Sequence, residues 1–414
     1  MKQLLVIGYV WPEPNSSAAG SRMLQILDIF QKSDYQITYA SPAIETEHMV
    51  DLDALKIKKV NIELNKSSFD DYVKELSPDV VLFDRFMMEE QFSWRVDKQC
   101  PSAFKLLETV DLHCLRQARH EAVKNNKDAL QSENLNFVSD TALREVASIL
   151  RCDLSLMISE VEIDVLKNQY NVDEGLLFYL PFMYDELDEQ ECKEKWPSYN
   201  ERQNFVTIGN FRHAPNWDSV LYLKNTIWPL VRKKLKGAEL HVYGSYLPKK
   251  AQQLHNPKQG FYIKGWAEDA LETLNQYRIC LSPLRFGAGM KGKLADAMLT
   301  GTPSITTSIG AESMYADYDW PGIIADSDEN IADTAIELYE NETLWNEKQN
   351  NILPIVNNVF NKEKNEKRFV GRMSELISSL ENHRKQNFTG KMLRHHTMKS
   401  AMYMSQWIEA KNKL

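Results

Sequence analysis

The sequence predicts an α/β protein made of two Rossmann-like parallel-sheet domains followed by a helical C-terminal segment. Three observations predict it. At 414 residues the chain exceeds what one ordinary core organises. Apolar runs of strand length alternate with longer helical patterns, the order that right-handed βαβ units produce. The series is broken once, by the polar, charge-dense stretch "DELDEQECKEKWPSYNERQ" at 185–203. We therefore expect a first domain at 1–184, a hinge at 185–203, a second domain at 204–380 and a helical tail at 381–414 that packs back on the first domain.

The strand candidates of the first half are 3–10, 36–41, 79–86, 103–110, 153–160 and 175–182. They are continuously apolar rather than alternating, as strands buried on both faces should be. Helical patterns at 18–32, 136–151 and 160–170 separate several of them. A second series follows at 205–211, 238–245, 260–266, 279–284, 303–307 and 322–327. After about residue 328 the pattern is helical. From Arg384 to Leu414 seven lysines and arginines stand against one acid, Glu409, with Met392, Met398, Met402, Met404 and Trp407 interspersed. Such a segment suits an anionic membrane surface. The simpler expectation is a terminal helix with a solvated basic face, which leaves peripheral membrane contact open.

Hydrophobic residues make up 43% and charged residues 26%, the balance of a soluble globular enzyme. A net charge of -9 argues against a nucleic-acid partner. The five cysteines are scattered without a C-x-x-C pair, which suggests neither a metal site nor a disulfide framework and fits a reducing cytoplasm. The most apolar run, 176–184, is far shorter than the ~20 residues of a membrane span. The N-terminal "MKQLLVIGYVWPEP" lacks a small-residue cleavage site and reads as a first buried strand.

The stretch "RFGAGMKGKLADAM" (285–298) is the richest in chemistry. It contains G-x-x-x-x-G-K, but Leu294 stands where a P-loop needs a hydroxyl for magnesium. It also contains G-x-G-x-x-G, but at the fourth strand of its domain rather than the first, and without a convincing ribose-binding acid at the end of the next strand. What survives is the physics shared by both motifs. Gly287, Gly289 and Gly292 let backbone N–H groups approach an anion, and a helix start follows. Lys291 and Lys293 add charge, and Asp296 is placed to accept from a ribose diol. The expectation is a metal-free nucleoside-diphosphate site.

Taken in order, "FVTIGNFRHAPNWDSVLYL", "AELHVYGS" and "GWAEDALETLNQYRICLSPLRFGAGMKGKLADAMLTGTPSITTSIGAESM" resemble the donor domain of family-four glycosyltransferases. "PEPNSSAAGSRM", "DRFMMEEQFSWRV", "TVDLHCLRQAR" and "ISEVEIDVL" extend the resemblance through the first domain. The resemblance implies the two-domain GT-B fold. It also implies transfer of a sugar from a UDP- or GDP-type donor to an acceptor hydroxyl, with retention, without a cofactor or bound metal. The acceptor would be a glycan, a lipid-linked molecule or a protein, as in the building of bacterial surface glycans.

The resemblance assigns roles residue by residue. Arg212 and Lys293 would stabilise the charge growing on the leaving diphosphate, with Lys291 as the alternative partner. Gly265 and Trp266 would hold the nucleotide base, and Gly287 and Gly289 would line the donor site. His113 would contact sugar or acceptor across the cleft, with Asp111 orienting it or capping its helix. Gly20 belongs to a small-residue loop open to close approach, with Arg22 as the adjacent cation. One departure stands out. Many relatives carry two glutamates eight positions apart, where this chain has Ala288 and Asp296. Glu312 is then a substitute contact to the donor sugar. No carboxylate nucleophile emerges, so front-face attack, with the leaving phosphate taking the acceptor's proton, is expected. Two rival readings are a nucleotide-sugar epimerase on the same fold and a non-catalytic partner protein, the latter favoured by Ala288.

Overall fold

The computed structural model describes residues 2–413. The first sheet has seven strands: β1 (Lys2–Ile7), β2 (Tyr35–Ser41), β3 (Lys58–Asn61), β4 (Val80–Asp84), β5 (Phe104–Glu108), β6 (Leu154–Met157) and β7 (Leu177–Tyr179). Their spatial order is β3-β2-β1-β4-β5-β6-β7. The second sheet has six: β8 (Gln203–Ile208), β9 (Leu240–Tyr243), β10 (Phe261–Gly265), β11 (Tyr277–Ser282), β12 (Ser304–Thr306) and β13 (Gly322–Ile324), in the order β10-β9-β8-β11-β12-β13. Every pairing is parallel. The two-domain Rossmann-like architecture is as the sequence predicts. The one strand without a sequence signal is β3, a half-exposed edge of composition KKVN.

The apolar runs are continuous because both faces are covered. Leu4 and Val6 of β1 face one side, with Leu82, Leu106 and Leu156. Leu5 and Ile7 face the other, with Val81, Phe83, Leu107 and Met157. At ~25 cal/mol per Å2 of apolar surface buried, such strands hold their sheet by burial on both faces.

Two boundaries differ from the expectation. The polar segment 185–203 is not a free hinge. Asp188 caps a short helix, Glu189–Lys195, through the amide of Glu191, and Trp196 donates to the Leu299 carbonyl. Arg202 is fully buried, donating to the Thr300 carbonyl at 2.6 Å and to Thr302. From about 188 the chain thus belongs to the second domain. Nor does the second domain run to 380. The helix Lys362–Ser378 places Phe369, Met373 and Leu376 in the core beneath the first sheet. The actual crossing is a pair of chain segments joined by one parallel bridge between Tyr184 and Asn361. Tyr184 N–H donates to the Phe360 carbonyl (2.8 Å), Lys362 N–H to the Tyr184 carbonyl (2.9 Å), and Asn357 bonds both backbone groups of Leu187. The last helix, Phe388–Lys411, lies on the first domain, held on helices Phe86–Gln99 and Asp140–Arg151.

Candidate active site between the two sheets

Each sheet reverses its winding once, between β1 and β4 and between β8 and β11. At such a point adjacent connections diverge and leave a crevice at the carboxyl ends of the strands. Both crevices face the same cleft. From the first domain come the loop after β1, the start of helix α1 (Ala18–Lys32), Asp84 at the end of β4 with Arg85 after it, and the start of helix α2 (His113–Lys124). From the second come residues 209–213 after β8, the start of helix α3 (Ala214–Tyr222), and the glycine loop leading into helix α4 (Gly292–Leu299). A cavity of ≈ 380 Å³ opens between Glu13, Ser17, Gly20, Asp84, Arg85 and, across the cleft, Arg212.

The glycine loop is pressed into the first domain. Gly289 has φ 64, and a Cβ there would stand 2.9 Å from the Asp111 Cβ. At Gly292 a Cβ would meet the Ala18 Cβ at 2.3 Å, so the starts of α1 and α4 abut. Both glycines are required by proximity, and Gly289 also by its left-handed backbone. Arg119 of α2 spans the boundary. It donates to the Gly287 carbonyl (2.9 Å) and to both oxygens of Glu312 (2.7 and 2.6 Å). Ser159 and Ser313 add a hydroxyl pair at 2.8 Å.

The two loop lysines differ. Lys291 is buried, caps the loop by donating to the Gly289 carbonyl (2.6 Å), and faces Glu312, Glu162 and Asp111. Lys293 is half-buried, its ammonium 3.0 Å from where a Cβ on Gly209 would lie, at the end of β8. Among the described residues it has no hydrogen-bond or ion-pair partner. Burial pushes its pKa down to about 8. An unpaired, partly desolvated cation beside a helix start is poised for an anion. Arg212 is exposed, with its guanidinium carbon over the Tyr246 ring (3.6 Å to the centroid). Tyr246 in turn donates to Glu13 of the first domain at 2.9 Å. Asp296, one turn into α4, is half-buried. Burial, with Asp269 adding to it, raises its carboxyl to about 7.

On the first-domain wall His113 is the first residue of α2. Its ring nitrogen stands 3.3 Å from Asp111, which is also paired with Arg116. Burial lowers the His113 pKa to about 4 against the pull of Asp111, with Arg116 and Arg85 assisting. Asp111 stays ionised, at about 2, because Arg116 beside it outweighs its burial. Asp111 does not cap α2. Glu145 does, accepting from His113 N–H (3.0 Å) and Cys114 N–H (2.8 Å), while Glu162 takes Leu112 N–H (2.6 Å). These carboxyls, buried beneath the wall, are pushed up to about 7 and about 8 by burial.

The structure thus brings Arg212, Lys293, Asp296, His113, Gly20 and the glycine loop to one cleft. Three expectations change. Glu312 is engaged on both oxygens by Arg119, so it ties the domains together rather than standing open to a sugar. Ala288 is buried against the first-domain core with Leu112 and Leu115, where a carboxylate would be desolvated. Arg22 is no cleft cation. It is 1% exposed, paired with Glu108 and bonded to the Leu180 carbonyl. Separately, Trp266 follows Gly265, which closes β10, and its ring stacks on His48 of the first domain (4.3 Å, 15°).

Sequence reasoning passed over His213, which neighbours Arg212 and opens onto the cleft. Desolvation and the cations Arg116, Lys293 and Lys291 lower its pKa against Asp111. Its adjacency to Arg212 in "NFRHAPN" was the available signal.

Residues 202–341 match the family model described as glycosyl transferases group 1, about the extent of the second sheet. A curated relative, an uncharacterized 44.6 kDa protein in the cps region of Klebsiella pneumoniae, is 24% identical over 196 residues. The match covers 46% of this chain and 48% of that protein, so it spans about half the relative's length. Three solved structures share the fold. A variant of S. aureus TarM, in complex with fondaparinux, alpha-GlcNAc-glycerol and UDP, superposes with TM-score 0.67 at 11% identity, over 90% of this chain and 99% of that one. Sucrose-phosphate synthase from Thermosynechococcus elongatus gives 0.67 at 12%, over 92% and 100%. HepE of Anabaena with UDP-glucose gives 0.67 at 11%, over 91% and 100%. The chain therefore has the GT-B fold, and its second domain carries the glycosyl transferases group 1 pattern.

Proposed function

We propose that this protein is a retaining glycosyltransferase, independent of bound metal, that moves a sugar from a nucleoside-diphosphate donor to an acceptor hydroxyl. The observation that carries the reading is the Lys293 ammonium at the end of β8, without a partner among the described residues, with exposed Arg212 in the loop after β8 and the start of α4 beside it. Two cations and backbone amides are what a departing diphosphate needs as negative charge grows on it. Complexes of the TarM variant with UDP and of HepE with UDP-glucose support a nucleoside-diphosphate sugar as the donor class. The base would rest near Gly265 and Trp266 and the ribose against Asp296. The acceptor, a glycan, lipid-linked or protein hydroxyl, would enter by the first-domain wall near His113. The leaving phosphate then receives the acceptor's proton as the new bond forms on the same face. The direct test is incubation with a panel of UDP- and GDP-sugars, scored for binding, hydrolysis and the anomeric configuration of product. If no member binds, the assignment fails.

The pKa values set an expected pH profile for donor binding. Lys293 must be charged to meet a diphosphate, and its pKa in the empty cleft is about 8. Asp296 must be ionised to accept from both ribose hydroxyls, and its pKa is about 7. Nucleoside-diphosphate affinity should therefore fall on the alkaline side as Lys293 loses its proton and on the acid side as Asp296 gains one. Titration calorimetry across pH should show proton uptake on binding above about pH 8 that disappears in Lys293→Met.

The Arg119–Glu312 bridge should matter for turnover more than for donor affinity, because the donor is held chiefly by the second domain. We expect Glu312→Ala to lower kcat about tenfold, the worth of a charged hydrogen bond, with a small change in nucleotide Kd. Partial recovery in the swapped pair Arg119→Glu with Glu312→Arg would confirm that the bridge sets the domain arrangement.

A further inference from the structure

The helix Phe388–Lys411 is 24 residues and thus about 36 Å long. One side is fixed to the first domain. Arg394 donates to the Arg151 carbonyl, Asn387 to the Leu150 carbonyl (2.7 Å), and Ser405 accepts from Arg95 (3.0 Å). Met398 is buried beneath it. The other side carries Phe388 (72% exposed), Met392 (44%), Tyr403 (62%) and Trp407 (59%), with Met404 at its margin (58%). Among the described residues, these are five of the nineteen large apolar side chains that stand exposed.

The charges are sorted as well. Lys391, Lys399 and Lys411 are exposed on this helix and make no ion pair among the described residues, and His395 and His396 are exposed beside them. Its single acid, Glu409, is turned inward, where it accepts from the Ser67 hydroxyl (2.6 Å) and amide and also holds Lys413 (3.2 Å). An apolar, aromatic stripe flanked by lysines that have no acidic partner among the described residues thus stands on a chain of net charge -9. Long lysine stems can lie along an apolar surface while the ammonium reaches phosphate. Tyr and Trp suit the boundary between headgroup and acyl chain. Because the helix is already folded and docked, binding would carry no ordering cost for it.

We propose that this helix is a docking surface for an anionic lipid bilayer, seated in the headgroup layer with the rest of the first domain outside. No helix among the described residues is long and apolar enough to cross a membrane. The contact is therefore peripheral, combining apolar insertion with attraction to anionic headgroups. The proposal does not depend on the glycosyltransferase reading, since lipid binding is measured without turnover.

The test is co-sedimentation of the full chain with vesicles of phosphatidylglycerol and phosphatidylcholine in equal parts, against phosphatidylcholine alone. We expect partition to the anionic vesicles only, weakening as salt is raised. Changing Lys391, Lys399 and Lys411 together to Glu should reduce partition by about tenfold or more, as should Phe388→Ser with Tyr403→Ser and Trp407→Ser. The same charge reversal at Lys236, Lys249 and Lys258, exposed in the second domain, should leave it unchanged. Circular dichroism and Tm verify that each variant is folded. The proposal is overturned by absence of partition, by equal partition to neutral vesicles, or by equal losses in both lysine sets. It is overturned equally if sedimentation shows a dimer that the Phe388, Tyr403 and Trp407 changes dissolve, since the stripe is then a contact between copies.

Discussion

Lys293→Met is expected to reduce turnover by about 10²–10³-fold, the range seen on removal of one donor from a preorganised anion site, without loss of stability. The two effects have one cause. Lys293 has no partner among the described residues, and burial holds its pKa near 8 rather than at the ordinary 10.5. At neutral pH both folded and unfolded chains keep it protonated, so the folded state bears the cost of a half-buried charge. That cost declines only as pH rises through 8 toward 10.5. Methionine keeps an unbranched apolar stem without the ammonium, so Tm at pH 7 should be unchanged or higher. Arg212→Ala should lose turnover to a comparable extent, but with no gain in stability. Its guanidinium rests on Tyr246, exposed, and its removal relieves no buried charge. A Lys293→Met variant of full activity would remove the proposed leaving-group site. A large fall in Tm would instead mean that Lys293 has a structural role.

The frame of the molecule was legible because it rests on local signals. Twelve of the thirteen strands coincide with strand candidates read from the sequence, and those of the first half are continuously apolar, since a strand buried on both faces has no polar side to display. The loop 285–298 was legible for a similar reason: glycines, lysines and a helix start are consecutive. Misreadings arose where the deciding partner is remote. Arg22 resembles a cleft cation until Glu108, 86 residues on, is seen to hold it. Glu312 resembles a free acid until Arg119, 193 residues away, takes both oxygens. The polar segment 185–203 resembles a linker because its buried members, Cys192, Tyr199 and Arg202, are separated by charges that only a solvated face explains. His213 has no pattern of its own, and only the arrival of Asp111 and Arg116 from the other domain gives it a setting.

Glu108→Ala should destabilise the first domain by about 3–5 kcal/mol, because it strands a buried guanidinium. Arg22 and Glu108 are each 1% exposed and joined by two bonds of 2.8 and 3.1 Å. The denaturation midpoint of the first domain should fall accordingly. Replacing both members, Arg22→Met with Glu108→Leu, should recover much of that loss, because an apolar pair of similar volume escapes the desolvation of both charges. Recovery of stability should not restore function. Glu108 also accepts the Val110 amide (2.9 Å), and Val110 has φ 66, a left-handed backbone that a β-branched residue adopts only under constraint. That turn sets Asp111 against Gly289 and leads directly into His113. Arg22 meanwhile bonds the carbonyls of Leu180 and Pro181, just before the chain crosses to the second domain at Tyr184. The double variant should therefore unfold near the wild-type midpoint, bind nucleoside diphosphate at the second domain with near-normal affinity, and turn over slowly. If the double variant is both stable and fully active, the Val110 turn holds without Glu108, and the ion pair serves the fold alone.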